Sequence, residues 1–279
     1  MTREPVIPPE EIIETVTDLL LRAMHAKQAR SVALAVVGAM HADKFTIAEV
    51  GRSMARVRGM SAKHAIKQFD RLLSNRKISM VGVFKVLVPW IIADRKEIVI
   101  SFDWTTYGAD GHSRIAINLV TNHGRATPLL WKTVPTGSLR RKRNRFEDEA
   151  LLLLAEVLPP DVKVILLADR GFGDVKLYEF LRDHLHWDFV IRFREAIHVE
   201  LSNGVYATAG EWVPKNGQIM EFADAMVTTV RFPVGVVCVK KRDMKEAWCL
   251  ATTLKGQKER VVQLYGRRFT CEEKFRDEK

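Results

Sequence analysis

The chain has 279 residues, of which 44 are basic and 34 acidic, giving a formal net charge of +10. This length is enough for a large buried core and predicts two or three domains, and the excess of positive charge favours a polyanionic partner such as nucleic acid. The three cysteines are widely spaced and form no C-x2-C pair, so they support neither a disulfide framework nor a zinc site. The sequence contains no membrane span and no secretory signal, which predicts a cytoplasmic protein with no membrane partner.

Residues 1–94 are predicted to form an all-α N-terminal domain, because apolar residues recur at helical spacing through most of this segment. Two helices are expected at 10–26 and 30–40. A capping box at 46–49 and a capping serine at the start of 61–74 predict two more helices, joined by a short glycine turn.

The last two helices, over about 46–74, have the pattern of a helix-turn-helix module with a basic second helix. Its outward polar residues are Lys63, Lys67, Gln68 and Arg71. In such a module the second helix enters the major groove, which would place the cations on phosphates and the glutamine near base edges. The alternative is a plain helical bundle whose exposed face is basic. The sequence leaves both interpretations open.

The periodicity changes after residue 94, and residues 95–195 predict an α/β core. Three segments rich in β-branched residues predict an antiparallel meander, followed by a helix, a buried strand, a second helix and a last strand. These elements are expected at 97–105, 114–122, 125–134, 146–158, 162–168, 175–185 and 188–194. The order βββαβαβ is that of the ribonuclease H-like fold.

Two carboxylates occupy notable positions in this order. Asp103 interrupts the first strand, and Asp169 directly follows the fourth, buried strand. Strands one and four are neighbours in a ribonuclease H-like sheet, so the two acids are expected to meet at one edge of the core. Carboxylates are the hard oxygen ligands that Mg²⁺ prefers, and two such ions can assist phosphodiester chemistry. An aspartate before glycines is also a common turn former, which is the alternative for Asp169.

A run of basic residues, 139–145, is expected to be the loop before the first core helix. Arg140, Arg141 and Arg143 are its candidates for contact with a DNA backbone. The alternative is an ordinary solvated loop.

Residues 196–262 are predicted to be a β insertion subdomain, because the core fold needs far fewer residues between Asp169 and its last helix. Strands are expected at 197–206, 226–230, 235–240 and 247–252. Trp212 and Trp248 are the tryptophans of this segment, and core packing is the ordinary role for each.

The C-terminal segment 263–279 would return to the core. Its polar residues Tyr265, Arg268, Glu272 and Lys279 fall on one face when the segment is placed on a helix. An ordinary core-facing stripe is apolar, so this polar stripe favours a functional site. The alternative is a simple salt bridge between Arg268 and Glu272 on a solvated helix.

The spacing Y-x2-R-x3-E-x6-K in this segment resembles the signature of the insertion sequence four family of DDE transposases. The resemblance implies that Asp103, Asp169 and Glu272 are the catalytic triad and bind two Mg²⁺ ions, which Mn²⁺ can replace. Tyr265, Arg268 and Lys279 would then bind phosphates of the DNA end, and Trp212 or Trp248 would support a flipped base.

The family resemblance also implies a biological role. The N-terminal domain would recognise terminal inverted repeats, and the core would cleave double-stranded DNA at the element ends and join the 3′-hydroxyls to target DNA. The expected assembly is a homodimer in the bacterial cytoplasm, associated with the nucleoid. Relatives continue beyond the signature, so the chain is expected to be truncated at Lys279. The alternatives are an inactive regulator that binds transposon ends, and a nuclease with the same fold.

Overall fold

The computed structural model describes residues 7–122 and 124–269, and the chain divides between residues 91 and 92 into two compact units. In its described residues the first unit is built from five helices, and contacts join the first to the second, the second to the third and the third to the fourth. They are α1 (Pro9–Leu20), α2 (Ala26–Met40), α3 (Ile47–Arg58), α4 (Ala62–Leu73) and α5 (Met80–Ile92). No strand occurs in the described part of this unit.

The pair α3 and α4 has the local features of a helix, a tight turn and a second helix. Thr46 caps α3 by accepting a hydrogen bond from the Glu49 amide at 3.2 Å, and Gly59 ends α3 with a φ of 62°. A left-handed residue at this position is a common helix end and favours glycine. Gly51 lets the helices approach closely, because a β-carbon there would lie 2.6 Å from the Ile66 Cα.

The second unit contains one large sheet and three α-helices among its described residues. Its strands are β1 (Glu97–Tyr107), β2 (His112–Leu119), β3 (Thr127–Pro135), β4 (Lys163–Ala168), β5 (Asp188–Phe193), β6 (His198–Glu200), β7 (Tyr206–Thr208), β8 (Ile219–Val227), β9 (Phe232–Val239) and β10 (Trp248–Thr252). Its helices are α6 (Arg143–Val157), α7 (Val175–Glu179) and α8 (Lys258–Arg267).

The ten strands lie in the order β3-β2-β1-β4-β5-β10-β9-β8-β6-β7. Strands β1, β2 and β3 form an antiparallel meander, and β4 and β5 run parallel to β1 on its other side. The strand order and directions of the first five strands are consistent with a ribonuclease H-like core. Short turns favour antiparallel neighbours, whereas parallel neighbours need crossovers, here through α6 and α7.

The segment 196–262, predicted to be a β insertion subdomain, forms strands that extend the sheet of the core. Strand β10 pairs antiparallel with β5, and β9 and β8 continue the same sheet. This arrangement pairs the edge of β5, which would otherwise expose unsatisfied backbone groups. The expected strand at 197–206 is instead two short strands, β6 and β7, joined by a turn.

Two further expectations about the core are corrected by the structure. Helix α6 begins at Arg143, so the basic run is not wholly a loop. The predicted helix 175–185 is α-helical only as far as Glu179 and continues as a wider π-helical turn over Phe180–His184. No helix among the described residues has both the length and the apolar character needed to cross a membrane.

Candidate active site

Asp103 and Asp169 lie at corresponding positions of two adjacent parallel strands. In the β1 and β4 register, Phe102 pairs with Ala168, and each aspartate is the next residue along its strand direction. Asp169 directly follows β4 but keeps an extended backbone conformation, with φ −83° and ψ −178°. The sheet therefore brings together the two acids that are far apart in sequence.

Both aspartates lie on the sheet face that carries α8. Side chains alternate between the two faces of a strand, so residues two or four apart share a face. Val99 and Ile165 pack in the apolar cluster that contains the buried residues of α8. Asp103 and Asp169 lie four residues after Val99 and Ile165, respectively, and therefore point to the same side of the sheet.

A backbone amide fixes one oxygen of each carboxylate. Asp103 Oδ1 accepts a hydrogen bond from the Trp104 amide at 2.8 Å, and Asp169 Oδ1 accepts one from the Gly171 amide at 2.8 Å. The second bond caps a single 3₁₀ turn, Arg170–Phe172. Asp169 is therefore a turn cap, as the alternative interpretation proposed, and it also lies beside Asp103.

Helix α8 places an arginine against Asp103. Arg268 Nη1 lies 3.4 Å from Asp103 Oδ2, and the two side chains are 7% and 20% exposed. The guanidinium also lies over the rings of Tyr265 and Phe269, with distances to the ring centroids of 5.7 and 5.2 Å. A buried guanidinium needs such partners, because taking its charge out of water is costly.

Tyr265 is buried beside this arginine and stacks edge-on against Trp248, with ring centroids 4.8 Å apart. Burial raises the pKa of the Tyr265 phenol, while the nearby positive charges of Arg268 and Arg192 lower it and the negative charge of Asp169 raises it. The net effect is an increase above the usual value, so the phenol is neutral at physiological pH.

Two further arginines lie near Asp169. Arg170 follows it directly in the chain, and Arg192 lies on the neighbouring strand β5. Arg192 donates to Glu246 Oε2 at 2.7 Å and to the Ala247 carbonyl at 2.8 Å, and Arg170 lies 3.5 Å from the same carboxylate. Hydrogen bonding and charge from Arg192 lower the pKa of Glu246. Sequence analysis did not identify this cluster, because its members are separated by up to 76 residues.

The opposite face of β1 carries a second polar group that the sequence analysis missed. Trp104 Nε1 donates to Glu147 Oε1 at 2.7 Å, and Arg143 Nε donates to the same oxygen at 2.9 Å. Glu147 is 8% exposed. The sequence did contain a signal for this residue. Glu147 lies three, four and seven residues before the buried Ala150, Leu151 and Leu154, so it is a charged residue on the core-facing stripe of α6.

Of the three arginines predicted in the basic run, Arg143 is the one whose contacts lie beside the site. It is the first residue of α6 and is held by Glu147, whereas Arg140 and Arg141 precede the helix and are exposed.

The predicted DNA-contacting residues of α4 belong to the first unit. Lys63, Lys67 and Arg71 are exposed there. Gln68 is partly buried and its Nε2 lies 3.5 Å from Ser31 Oγ, so its side chain is directed towards α2. The role of Gln68 as a reader of base edges stays a prediction.

The two tryptophan candidates occupy different environments. Trp212 packs edge-on against Phe222, with ring centroids 5.1 Å apart. Trp248 is partly buried and packs on Tyr265, within the aromatic group beside Arg268. Only Trp248 of this pair is therefore connected to the candidate active site through the described contacts.

The remaining predicted residues, Glu272 and Lys279, lie outside the described residues. Among the residues that are described, no group of three or more histidines, cysteines or acids is arranged to hold a metal ion. Asp103 and Asp169 supply carboxylate oxygens on one face and one edge of the sheet, which suits Mg²⁺ or Mn²⁺ better than a softer metal. Their donor chemistry fits a divalent site that needs at least one further ligand.

A known protein family matches the part of the chain that carries this geometry. The family described as the transposase DDE domain matches residues 94–279. No curated protein matches the sequence. A solved structure of an Argonaute from Marinitoga piezophila, in complex with 5′ OH guide RNA and target DNA, has 9% sequence identity and a TM-score of 0.25. That match covers 77% of this chain and 31% of the Argonaute chain, so this chain spans less than a third of that protein's length.

The mixed α/β sheet with two aspartates on adjacent parallel strands is consistent with a ribonuclease H-like enzyme core. The family match covers more than half of the chain, and the protein belongs to the DDE transposase family.

Proposed function

We propose that this protein is a transposase of the insertion sequence four type. It binds the terminal inverted repeats of its element, cleaves the DNA at the element ends and joins the 3′-hydroxyls to target DNA. The observation that best supports this proposal is the placement of Asp103 and Asp169 at corresponding positions of β1 and β4, with Arg268 held against Asp103.

The proposed metal ligands are Asp103, Asp169 and Glu272, which would hold two Mg²⁺ ions. Ions bound there would polarise the attacking oxygen and stabilise the leaving oxygen of a phosphodiester. The chain itself orients the ligands, because backbone amides and Arg268 restrict the rotation of the two aspartates. Arg268, with Tyr265 and Lys279, would bind phosphates of the DNA end, and Trp248 is better placed than Trp212 to support a flipped base.

DNA binding is assigned to two basic surfaces. The exposed cations of α4, Lys63, Lys67 and Arg71, would contact the backbone of the inverted repeat. Arg140, Arg141 and Arg143 would contact DNA near the cleaved bond. We further propose that two copies of the chain act together in the active complex. The net charge of +10 favours such a polyanionic substrate.

The decisive experiment is cleavage of an element end in Mg²⁺. The substrate is an element end, to be taken from paired inverted repeats sought in the genomic DNA beside the coding sequence. Wild-type protein should cut at the repeat terminus, Mn²⁺ should replace Mg²⁺, and a chelator should stop the reaction. Asp169→Asn should abolish cleavage and preserve binding in a gel shift.

Asp174→Asn is the matched control, because Asp174 is also a capping aspartate after β4, but it caps α7 through the Lys176 amide at 3.1 Å. This variant should cleave normally, since asparagine and aspartate cap helices equally well. Cleavage that survives Asp169→Asn, or that continues in chelator, would contradict the proposal. End binding by wild-type protein without cleavage would instead support the regulator.

A second experiment tests the role of α4. Replacing Lys67 and Arg71 with alanine should weaken end binding and reduce the slope of log affinity against log salt by about 0.9 for each lost phosphate contact. Arg22→Ala, an exposed basic residue of the same unit outside α4, is the control and should leave the slope unchanged. An unchanged slope in the double variant would remove α4 from the DNA interface.

A further inference from the structure

Glu147 is a carboxylate in a position where a charge requires specific partners. It lies in the first turns of α6, on the stripe that buries Ala150, Leu151 and Leu154, and its side chain is 10% exposed. An unpaired carboxylate at such a site would be destabilising, because burial removes its hydration. A carboxylate at this position therefore depends on its hydrogen bonds.

Both donors to Glu147 converge on a single oxygen. Trp104 Nε1 and Arg143 Nε lie 2.7 and 2.9 Å from Glu147 Oε1. Hydrogen bonds to a charged acceptor are short and about twice as strong as neutral ones. Glu147 thereby joins the start of α6 to strand β1 on the face opposite α8.

The first donor, Trp104, is next to Asp103 and supplies the amide that binds Asp103 Oδ1 at 2.8 Å. When Glu147 fixes the indole of Trp104, it also restricts the backbone at this amide. The orientation of the Asp103 carboxylate therefore depends on a residue behind the sheet.

The second donor, Arg143, reaches the turn that binds Asp169. Its guanidinium lies over the rings of Trp104 and Phe172, at 5.6 and 5.4 Å from the centroids. Its Nη2 lies 4.0 Å from the position that a β-carbon on Gly171 would occupy. Gly171 supplies the amide that binds Asp169 Oδ1 at 2.8 Å. The same guanidinium thus packs against the turn that orients the second aspartate.

We propose that Glu147 is a positioning residue that orients Asp103 and Asp169 together, through Trp104 on one side and through Arg143 on the other. This inference rests on the proposed cleavage by these aspartates. Glu147 acts from the opposite side of β1 and does not contact DNA or metal. Without it, the two carboxylates lose a shared support, and their separation and orientation become variable.

Two substitutions and one control test this role. Glu147→Gln keeps an oxygen acceptor for the indole but removes the charge that holds Arg143, and Glu147→Leu removes both bonds at similar volume. The control is Glu149→Gln, a glutamate on the same helix that accepts from Arg145 at 2.8 Å and pairs with Lys132. Glu149 has none of these links to the aspartates among the described contacts.

The first readout is NMR of the full chain. The Trp104 indole and the backbone amides of Trp104 and Gly171 should shift in Glu147→Gln and remain in place in Glu149→Gln. The indole signal is assigned with Trp104→Phe, since the chain has six tryptophans. Unchanged amide signals in both Glu147 variants would overturn the proposal, whether or not the protein cleaves DNA.

The second readout is function. Loss of a residue that supports ligands typically lowers activity or metal affinity by about ten- to one-hundred-fold. We expect that loss in cleavage rate and in Mn²⁺ affinity for Glu147→Leu, a smaller loss for Glu147→Gln, and less effect on DNA affinity than on rate. Equal rates in the Glu147 and Glu149 variants would overturn the positioning role.

A wild-type protein that cleaves no element end would contradict the proposed transposase function and not the role of Glu147. In that case the amide signals and the Mn²⁺ affinity still decide the role of Glu147. If Glu147→Leu does not fold, Glu147→Gln supplies both readouts.

Discussion

Neutralising the two proposed catalytic aspartates should have different consequences for stability, although both changes should stop cleavage. Two adjacent carboxylates repel each other, so neutralising either in the absence of metal would ordinarily stabilise the fold. Asp103 differs because its Oδ2 lies 3.4 Å from Nη1 of Arg268, whose side chain is only 7% exposed. Asp103→Asn replaces the carboxylate with a neutral amide. The buried positive charge of Arg268 then loses part of the interaction that offsets its desolvation.

The size of the effect follows from this geometry. A hydrogen bond to a charged group contributes about 1.5–3 kcal/mol, and the distance of 3.4 Å is longer than an ideal charge-assisted bond. We therefore expect Asp103→Asn to lower the free energy of unfolding by about 1.5–2 kcal/mol, which corresponds to roughly 3–8 °C in Tm for a unit of this size. Asp169→Asn should stay within about 0.5 kcal/mol of wild type, because asparagine caps the Gly171 turn equally well.

The assay is thermal unfolding in chelator, followed by circular dichroism. Arg268→Leu and the double variant with Asp103→Asn complete a cycle, and the two losses should be less than additive because the residues contact each other. An Asp103→Asn protein that is as stable as wild type, or more stable, would refute the argument that Arg268 depends on this carboxylate.

Three further predictions follow from the structure. Gly51→Ala should destabilise the first unit by about 1–3 kcal/mol through overpacking against α4, whereas Gly59→Ala should cost about 1–2 kcal/mol through its left-handed φ, both measured by thermal unfolding. Burial raises the pKa of both Tyr178 and Tyr265. As pH rises, the unfolded chain loses these protons before the folded chain does, so the free energy of unfolding should fall above about pH 10. Replacing either tyrosine with phenylalanine should reduce this loss of stability at alkaline pH, as measured by pH-dependent unfolding. Glu246→Gln should release Arg170 and Arg192 and increase DNA affinity by about two- to fivefold at low salt, an effect that salt should screen in a gel shift.

Each of these predictions has a control. Gly59→Asn should cost less than Gly59→Ala because asparagine tolerates a left-handed backbone. Tyr206→Phe is the control for the removal of a tyrosine hydroxyl, since that ring is 56% exposed. Glu200→Gln, which breaks the ion pair between Glu200 on β6 and Arg231, should not raise DNA affinity if the effect is local to the candidate site. A larger cost for Gly59→Asn than for Gly59→Ala would contradict the argument from the left-handed backbone. A rise in DNA affinity in Glu200→Gln would contradict the argument that the effect of Glu246 is local.

Local sequence patterns predicted much of the architecture because the relevant signals are short-range. The alternating and continuous apolar segments gave the first five strands, and the isolated Asp103 within β1 was visible as a polar residue where a core residue was expected. The capping threonine at position 46 and the glycine at position 59 identified the ends of α3, and the structure has both features. The C-terminal spacing led to the DDE transposase family, to which the chain belongs.

Other features depended on partners that are distant along the chain. Nothing in the apolar pattern of β10 specifies that it pairs with β5, because strand pairing is decided by which edge remains unsatisfied once the core strands are assembled.

The sequence alone therefore determined the helix and strand content, the excess of positive charge and the acidic candidates, since these depend on residue type and local periodicity. Only the tertiary structure placed Arg268 on Asp103, turned Gln68 towards Ser31, and joined Glu147 to Trp104 and Arg143. A buried charge is stable only where several distant elements supply its hydrogen bonds together, and that condition is met by the packed fold and not by any one segment.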